Sequence, residues 1–308
     1  MPLAHDTVSF TSNAKDVSNI TKNFQNPIKI VFADIDETIL TNGTVPESAK
    51  MAIKRLKDND VELVLATGRL YTRTVPVLKS LGLKPDYIIT QHGAVTTDGD
   101  GNSVYEKLLS PDDTRKMLDA TKKYQKIDPS VRLVLCIDCK YYCLEDIEST
   151  DAFAQPVEKV DSFEPFFEKG KYPAKVMILK DDLRDFDSMS KIGDFYKSKL
   201  KGNFNVAITT PRLLCEIVNS DASKGGAIKH LCKNIFDVDL KNAAVLGDAE
   251  TDIDMVDVVE EAGGLTIAMG NSVVKLKEAA GYITGHINND GFALAIDKII
   301  ENNERLKG

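Results

Sequence analysis

The sequence predicts an α/β protein: a doubly wound, mainly parallel sheet with a smaller α+β module inserted into it. Two observations carry this. From residue 28 to 93, short apolar runs alternate with amphipathic stretches of helix length, as in consecutive βαβ units, and the same alternation resumes after about residue 216. Between them, paired strands come with longer helices and turn-rich segments. The expected organisation is a loosely packed N-terminal arm over 1–26, a core domain formed by 27–93 and 216–308, and an inserted domain over 94–215.

Residues 1–26 are rich in Ser, Thr, Asn and Asp, show little periodicity, and lack the basic start and apolar centre of a secretory signal. After Pro27, the run Ile28, Ile30, Val31 and Phe32 reads as a buried strand that stops at Asp34. Residues 46–58 put Ala49, Ile53 and Leu56 on one helical face, and Asn59-Asp60 ends that helix. A strand over 61–66 leads to Thr67-Gly68-Arg69, a helix over 70–81 closes at Gly82, and a strand over 86–90 leads to Gln91-His92-Gly93-Ala94. In the insert, the Asp- and Gly-rich stretch 97–102 reads as a hairpin loop. A helix (111–125), two short strands around a turn at 138–140, a strand (174–179), a helix (182–200) and strands over 205–209 and 213–217 follow. Phe153, Phe163, Phe166, Phe167 and Tyr172 are expected to fill the core of the insert. Ser223 caps a helix over 224–235. Then come a strand (243–246) ending at Gly247-Asp248, an acidic helix (251–261), and a strand (265–268) ending at Met269-Gly270-Asn271. A helix (273–280), a short strand (281–284) and a closing helix (292–303) complete the chain.

Composition narrows the function. A formal charge of −8 argues against general affinity for nucleic acid or for an anionic membrane, and no apolar run is long enough to span a bilayer. Five cysteines, an odd number in a chain of this size, suggest free thiols in a reducing compartment and a cytoplasmic protein. A monomer or weak homo-oligomer is expected. Cys136, Cys139 and Cys143 lie close together, but a hairpin explains them without a metal. Neither a P-loop nor a G-x-G-x-x-G is present.

Asp34 and Asp36, two apart at a strand end, either repel each other or share a cation. A hard divalent ion with oxygen ligands, Mg²⁺, is the economical explanation, although a polar turn also fits the pattern. Thr67, Asp248 and Asn271 stand at three further strand ends, and Lys224 starts a helix. A parallel sheet brings such positions to its carboxyl rim, where ligands bind. Acids there can hold a cation, while a hydroxyl, a backbone N–H and an ammonium can hold phosphoryl oxygens. A lysine at a helix N-terminus opposes the macrodipole, which points to a bound anion.

The stretches D-I-D-E-T-I-L at 34–40, A-T-G-R at 66–69, S-K-G-G-A-I at 223–228 and G-D-A-E-T-D-I-D-M at 247–255 occur in that order. With them the chain resembles the haloacid dehalogenase (HAD) superfamily, and within it the Cof-type sugar-phosphate phosphatases with a type IIB cap. The resemblance covers about 28–300. It implies a Rossmann-like core and an inserted module that folds over the site as a cap. It implies Asp34 as the nucleophile that forms an aspartyl-phosphate, and Asp36 as the acid and then the base. Mg²⁺ would be held by the Asp34 carboxylate, the Asp36 carbonyl and Asp248, with Asp252 contributing directly or from behind. Thr67 and Lys224 would bind phosphoryl oxygens, helped by the backbone N–H groups of Ile35 and Gly68. Thr251 stands where many members carry an Asn whose amide reaches phosphate.

The implied function is a Mg²⁺-dependent phosphomonoester hydrolase acting on small phosphorylated metabolites, sugar phosphates among them. A phosphomutase with the same phospho-enzyme chemistry is the alternative, as is a non-catalytic phospho-acceptor or binding protein; Asp36 argues against the latter. Three departures from the family pattern bear on affinity and substrate choice: Glu37 in place of a frequent Gly, Thr251 in place of Asn, and His92 in place of the Asn of Asn-Gly-Ala. Asp254 is expected to take no part, His92 to be structural, and Asn271 to cap the following helix, while Arg69 also fits an ordinary surface arginine.

Overall fold

The computed structural model describes residues 15–147, 156–180, 186–200, 204–209 and 214–308. The chain divides into two compact units, Met1–Leu63 with Phe236–Gly308, and Val64–Ile235. The division falls within the strand Glu62–Ala66.

The first unit is built on parallel strands in the order Lys15–Asp16, Tyr282–Ile283, Leu265–Ala268, Ala243–Gly247 and Ile30–Ala33. Ile30, Val31, Phe32 and Ala33 are all buried. A strand covered on both faces needs this continuous apolar run rather than an alternating one. Helix Glu47–Asp58 turns Ala49, Ala52, Ile53 and Leu56 inward, and helix Ile253–Glu261 does the same with Met255, Val256 and Val259. From the closing helix Gly291–Lys307, the buried Asn303 accepts from the N–H of Ile28 and donates to its carbonyl, at 2.8 and 2.7 Å. That amide completes the backbone bonding of the chain where it enters the first strand.

The segment expected to be loosely packed through residue 26 is ordered from Lys15. It enters the sheet edge beside Tyr282–Ile283 and buries Val17 and Ile20. With Phe24, these apolar anchors dock it, and the polar composition around them concealed their effect. Residues 1–14 of that arm lie outside the described residues.

In the second unit, Tyr87–Thr90 runs parallel to Glu62–Ala66, and the hairpin Val95–Asp98 with Ser103–Glu106 adds to it antiparallel. This hairpin falls in the range expected for the insert. Instead, three successive left-handed residues, Gln91 (φ 51°), His92 (φ 58°) and Gly93 (φ 89°), fold the chain back onto the strand it has just left. The second sheet has the order Phe204–Thr209, Leu214–Asn219, Lys175–Leu179, Arg132–Ile137, Lys140–Cys143 and Val157–Lys159. One face packs Leu133, Leu135, Val176, Ile178 and Ile217 against Met117, Met189, Ile192 and Tyr196 of the helices Pro111–Tyr124 and Phe186–Lys199. Phe163, Phe166, Phe167 and Tyr172 join this core as expected, and Phe153 lies outside the described residues. The opposite face carries Val134, Cys136, Tyr141, Cys143, Met177, Leu179 and Leu214, packed with Leu70. Strand alternation puts Lys175 and Glu216 on this face too. Among the described residues, no helix is long and apolar enough to cross a membrane.

Candidate active site

In the first unit the strands Ile30–Ala33 and Ala243–Gly247 run in register, with Ala33 opposite Leu246, so Asp34 and Asp248 follow almost side by side. The Asp34 N–H still donates to Leu246 O at 3.0 Å. The loop after it is pinned from inside: Ile35 O accepts from Ile39 N and Leu40 N, and all three side chains are buried. Asp36 and Glu37 are left on the exposed side.

Glu37 adopts φ 56°. A left-handed residue favours glycine, which explains the residue usual there and makes Glu37 a strained substitute. Its carbonyl accepts from Asn271 Nδ2 at 2.8 Å, and Asn271 Oδ1 accepts from Ile287 N at 3.0 Å. Asn271 therefore does not cap a helix, contrary to expectation. Helix Val274–Ala279 starts after Val273 without a side-chain cap, and the Asn271 amide instead uses its donor and its acceptor to join two loops.

The loop after Ala243–Gly247 is folded by Asp252, which is fully buried. Its Oδ2 accepts from the N–H groups of Asp248 and Ala249, both at 3.0 Å. A Cβ at position 247 would collide with the Asp252 side chain, so Gly is required there. Thr38 Oγ1 donates to Asp248 Oδ1 at 3.2 Å. Asp34, Asp248 and Asp252 each offer a carboxylate oxygen within 4.8 Å of the others. Three acids this close, two of them buried, repel one another unless a cation lies among them, and an all-oxygen donor set suits a hard ion such as Mg²⁺. Asp36 and Asp254 contribute no carboxylate to this group, and Thr251 is half-buried on the 3₁₀ turn Glu250–Asp252. The cysteines form no such group among the described residues, and all five are free thiols.

The second unit carries the other motif residues. Thr67 is buried; its N–H donates to Ile89 O at 2.9 Å and its Oγ1 accepts from Arg69 N at 3.2 Å. The left-handed turn at 91–93 is cross-linked to this loop by His92 N donating to Thr67 O and Gln91 N donating to Arg69 O. A Cβ at Gly93 would collide with the Ser223 carbonyl, so this turn also lies directly against the start of helix Lys224–Leu231. Ser223 Oγ caps that helix by accepting from Gly226 N at 2.9 Å. Lys224 follows in the first turn, only 2% exposed. Burial and the helix dipole both disfavour an uncompensated ammonium there. Thr67, Gly68 and Lys224 thus belong to one nest of loops.

A buried charge cluster that no motif announces lies beside this nest. Lys175 Nζ lies 2.6 Å from Glu216 Oε1, and Glu216 Oε2 lies 2.8 Å from His92 Nε2. Burial pushes the Glu216 carboxyl up, but the Lys175 charge and the His92 hydrogen bond outweigh it and hold the carboxyl at about 2. The signal was present in the sequence as single charges inside the apolar strands K-V-M-I-L and L-C-E-I-V. Cys136, opposite Lys175 in the sheet, donates its thiol to Gln91 Oε1; burial pushes that thiol up to about 12, which makes it inert.

The model of the family described as haloacid dehalogenase-like hydrolase matches residues 31–296. A phosphoglycolate phosphatase of Methanosarcina acetivorans is 26% identical over 276 residues, covering 89% of this chain and 97% of its own. A 5-amino-6-(5-phospho-D-ribitylamino)uracil phosphatase of Bacillus subtilis is 26% identical over 276 residues, covering 87% and 94%. Among solved structures, the HAD subclass IIB sugar phosphatase BT4131 superposes with a TM-score of 0.68 at 20% identity, covering 87% of this chain and 98% of that one. The chain belongs to the haloacid dehalogenase-like hydrolases, and within them to the phosphatases.

Proposed function

We propose that this phosphatase is a Mg²⁺-dependent phosphomonoester hydrolase acting on small phosphorylated metabolites, sugar phosphates above all, through an aspartyl-phosphate at Asp34. The observation that carries the reading is the trio Asp34, Asp248 and Asp252, whose oxygens lie within 4.8 Å of one another. The donor set fits Mg²⁺, and the Asp36 carbonyl would add a fourth oxygen. When bound, the ion neutralises charge on the transferring phosphoryl group.

The rest is done by the chain. An Asp34 oxygen attacks phosphorus, and the bond to the leaving alcohol breaks as Asp36 gives that oxygen a proton. Asp36, now ionised, takes a proton from a water molecule whose oxygen attacks the phosphorus of the aspartyl-phosphate. Orthophosphate departs, Asp34 is regenerated, and Asp36 holds its proton again. The Thr67 hydroxyl, the N–H groups of Ile35 and Gly68, and Lys224 bind the phosphoryl oxygens, with Thr251 beside them. On the family resemblance, the inserted module would act as a cap that keeps out bulk water and contacts the leaving group. The two relatives take phosphate from chemically different small molecules, which supports a small phosphomonoester and leaves the choice to the cap.

The test is phosphate release from p-nitrophenyl phosphate by the purified protein. Activity is expected with Mg²⁺ and is expected to disappear with a chelator. Asp34→Asn is expected to abolish it, and full activity in that variant refutes Asp34 as the nucleophile.

A further inference from the structure

Resting on that reading, we propose that Lys175, Glu216 and His92 are positioning residues that clamp the Thr67-Gly68 phosphate loop and couple it to the six-stranded sheet. These residues close a ring. Lys175 Nζ contacts Glu216 Oε1 at 2.6 Å and also points a donor at the Gly68 carbonyl, 3.4 Å away. Glu216 passes the contact to His92, and the His92 ring lies directly on Gly68, where a Cβ would collide with it. The Gly68 peptide is thus fixed at its carbonyl by Lys175 and at its α-carbon by the imidazole.

The orientation of that imidazole depends on Glu216. Among the described residues, buried His92 Nδ1 has no hydrogen-bonding partner and Nε2 carries the one hydrogen bond of the ring. Since Glu216 is ionised, Nε2 bears the proton and donates. His92 is itself held at φ 58°, beside Gln91 at 51°, so the turn is strained and stays in place because its surroundings determine it.

Two members of the ring come from the cap sheet. Met177 pairs with Glu216, and Lys175 precedes Met177 by two on the same face, so the lysine and the glutamate are diagonal neighbours across the strands. On the same face, Cys136 reaches Gln91 and Leu70 packs against the sheet. A shift of either strand therefore moves the ammonium and the imidazole that hold Gly68. Misplacing a phosphate-binding loop by about 1 Å is enough to cost on the order of a hundredfold in rate.

The decisive variant is the double substitution Lys175→Met with Glu216→Gln, compared with Lys175→Met alone. The double variant removes one charge of each sign, so it leaves no buried charge unpaired and does not change the local net charge. Orthophosphate binding is measured by calorimetry with Mg²⁺ present, alongside kcat/KM for p-nitrophenyl phosphate and the thermal midpoint. We expect the double variant to recover much of the midpoint lost by the single one, yet to bind orthophosphate about tenfold more weakly and to lose about ten- to a hundredfold in kcat/KM. An orthophosphate affinity within twofold of wild type in the double variant overturns the proposal, as does a wild-type protein that binds no orthophosphate. A wild type that binds orthophosphate but hydrolyses nothing refutes the hydrolase reading alone, and the phosphate affinities still decide this one.

Discussion

Glu216 ties the stability of the second unit to pH in a calculable way. Its carboxyl is buried and sits at about 2 in the folded protein, against an ordinary value of 4.5. That difference in proton affinity corresponds to about 3 kcal/mol, at about 1.4 kcal/mol per tenfold change. The folded-state value is the lower one, so the contribution is complete above about pH 5. It falls as the pH drops through 4.5, where the unfolded chain takes up the proton first, and is gone near pH 2. Glu216→Gln removes it and also leaves the Lys175 ammonium buried without its counter-charge, so at pH 7 the variant should be less stable by about 3 kcal/mol or somewhat more. Urea unfolding of both proteins from pH 7 down to pH 2.5 isolates the effect, because every other carboxylate titrates in both. The stability gap between them should shrink by about 2.5 kcal/mol over that range. A gap that stays constant with pH would show that Glu216 is not held ionised by Lys175 and His92.

Three further outcomes follow from the geometry. Asp252→Asn and Thr38→Val each disturb what orients Asp248, so each should raise the Mg²⁺ concentration for half-maximal phosphatase activity by about 10- to 100-fold, read from a Mg²⁺ titration. Glu37→Gly relieves a left-handed residue at φ 56° and should stabilise the protein by about 1 kcal/mol in the same urea assay, even though it frees the unfolded chain. Cys136, Cys143 and Cys215, each pushed up to about 12 by burial, should resist iodoacetamide at pH 8 in the native protein and react once it is unfolded, as mass spectrometry can count.

The parallel part of the fold was legible because its strands are buried on both faces. Runs such as I-V-F-A and A-A-V-L can be nothing else at that length, and the strand over 265–268 is observed with the bounds expected. The acids were legible for a related reason: Asp34 and Asp248 are the first residues that the apolar run cannot explain. Two features escaped. The edge strand Lys15–Asp16 is only two residues long, and the three anchors that follow it, Val17, Ile20 and Phe24, stand singly among polar residues. The destination of the hairpin Val95–Asp98 was hidden because it depends on three consecutive positive φ values, of which only Gly93 announces itself by residue type.

The cluster at Lys175 and Glu216 was hidden for a deeper reason, which also bears on how the family varies. A charge inside an apolar strand is costly unless its partner is known, and the partner here lies 41 residues away on a neighbouring strand. Pairing satisfies the Lys175 ammonium and one Glu216 oxygen, and leaves the second oxygen needing a donor. His92 supplies it, at the position where the resembled family commonly has an asparagine. An asparagine amide could also donate to that carboxylate, but it is smaller than an imidazole and would not cover Gly68 in the same way. The substitution to His92 therefore alters the support of the phosphate loop while preserving the hydrogen bond that the buried carboxylate requires. On this account His92→Asn should keep most of the pH-dependent stability assigned to Glu216 and weaken orthophosphate binding. Loss of both together would mean that the imidazole serves the ion pair alone and not the loop.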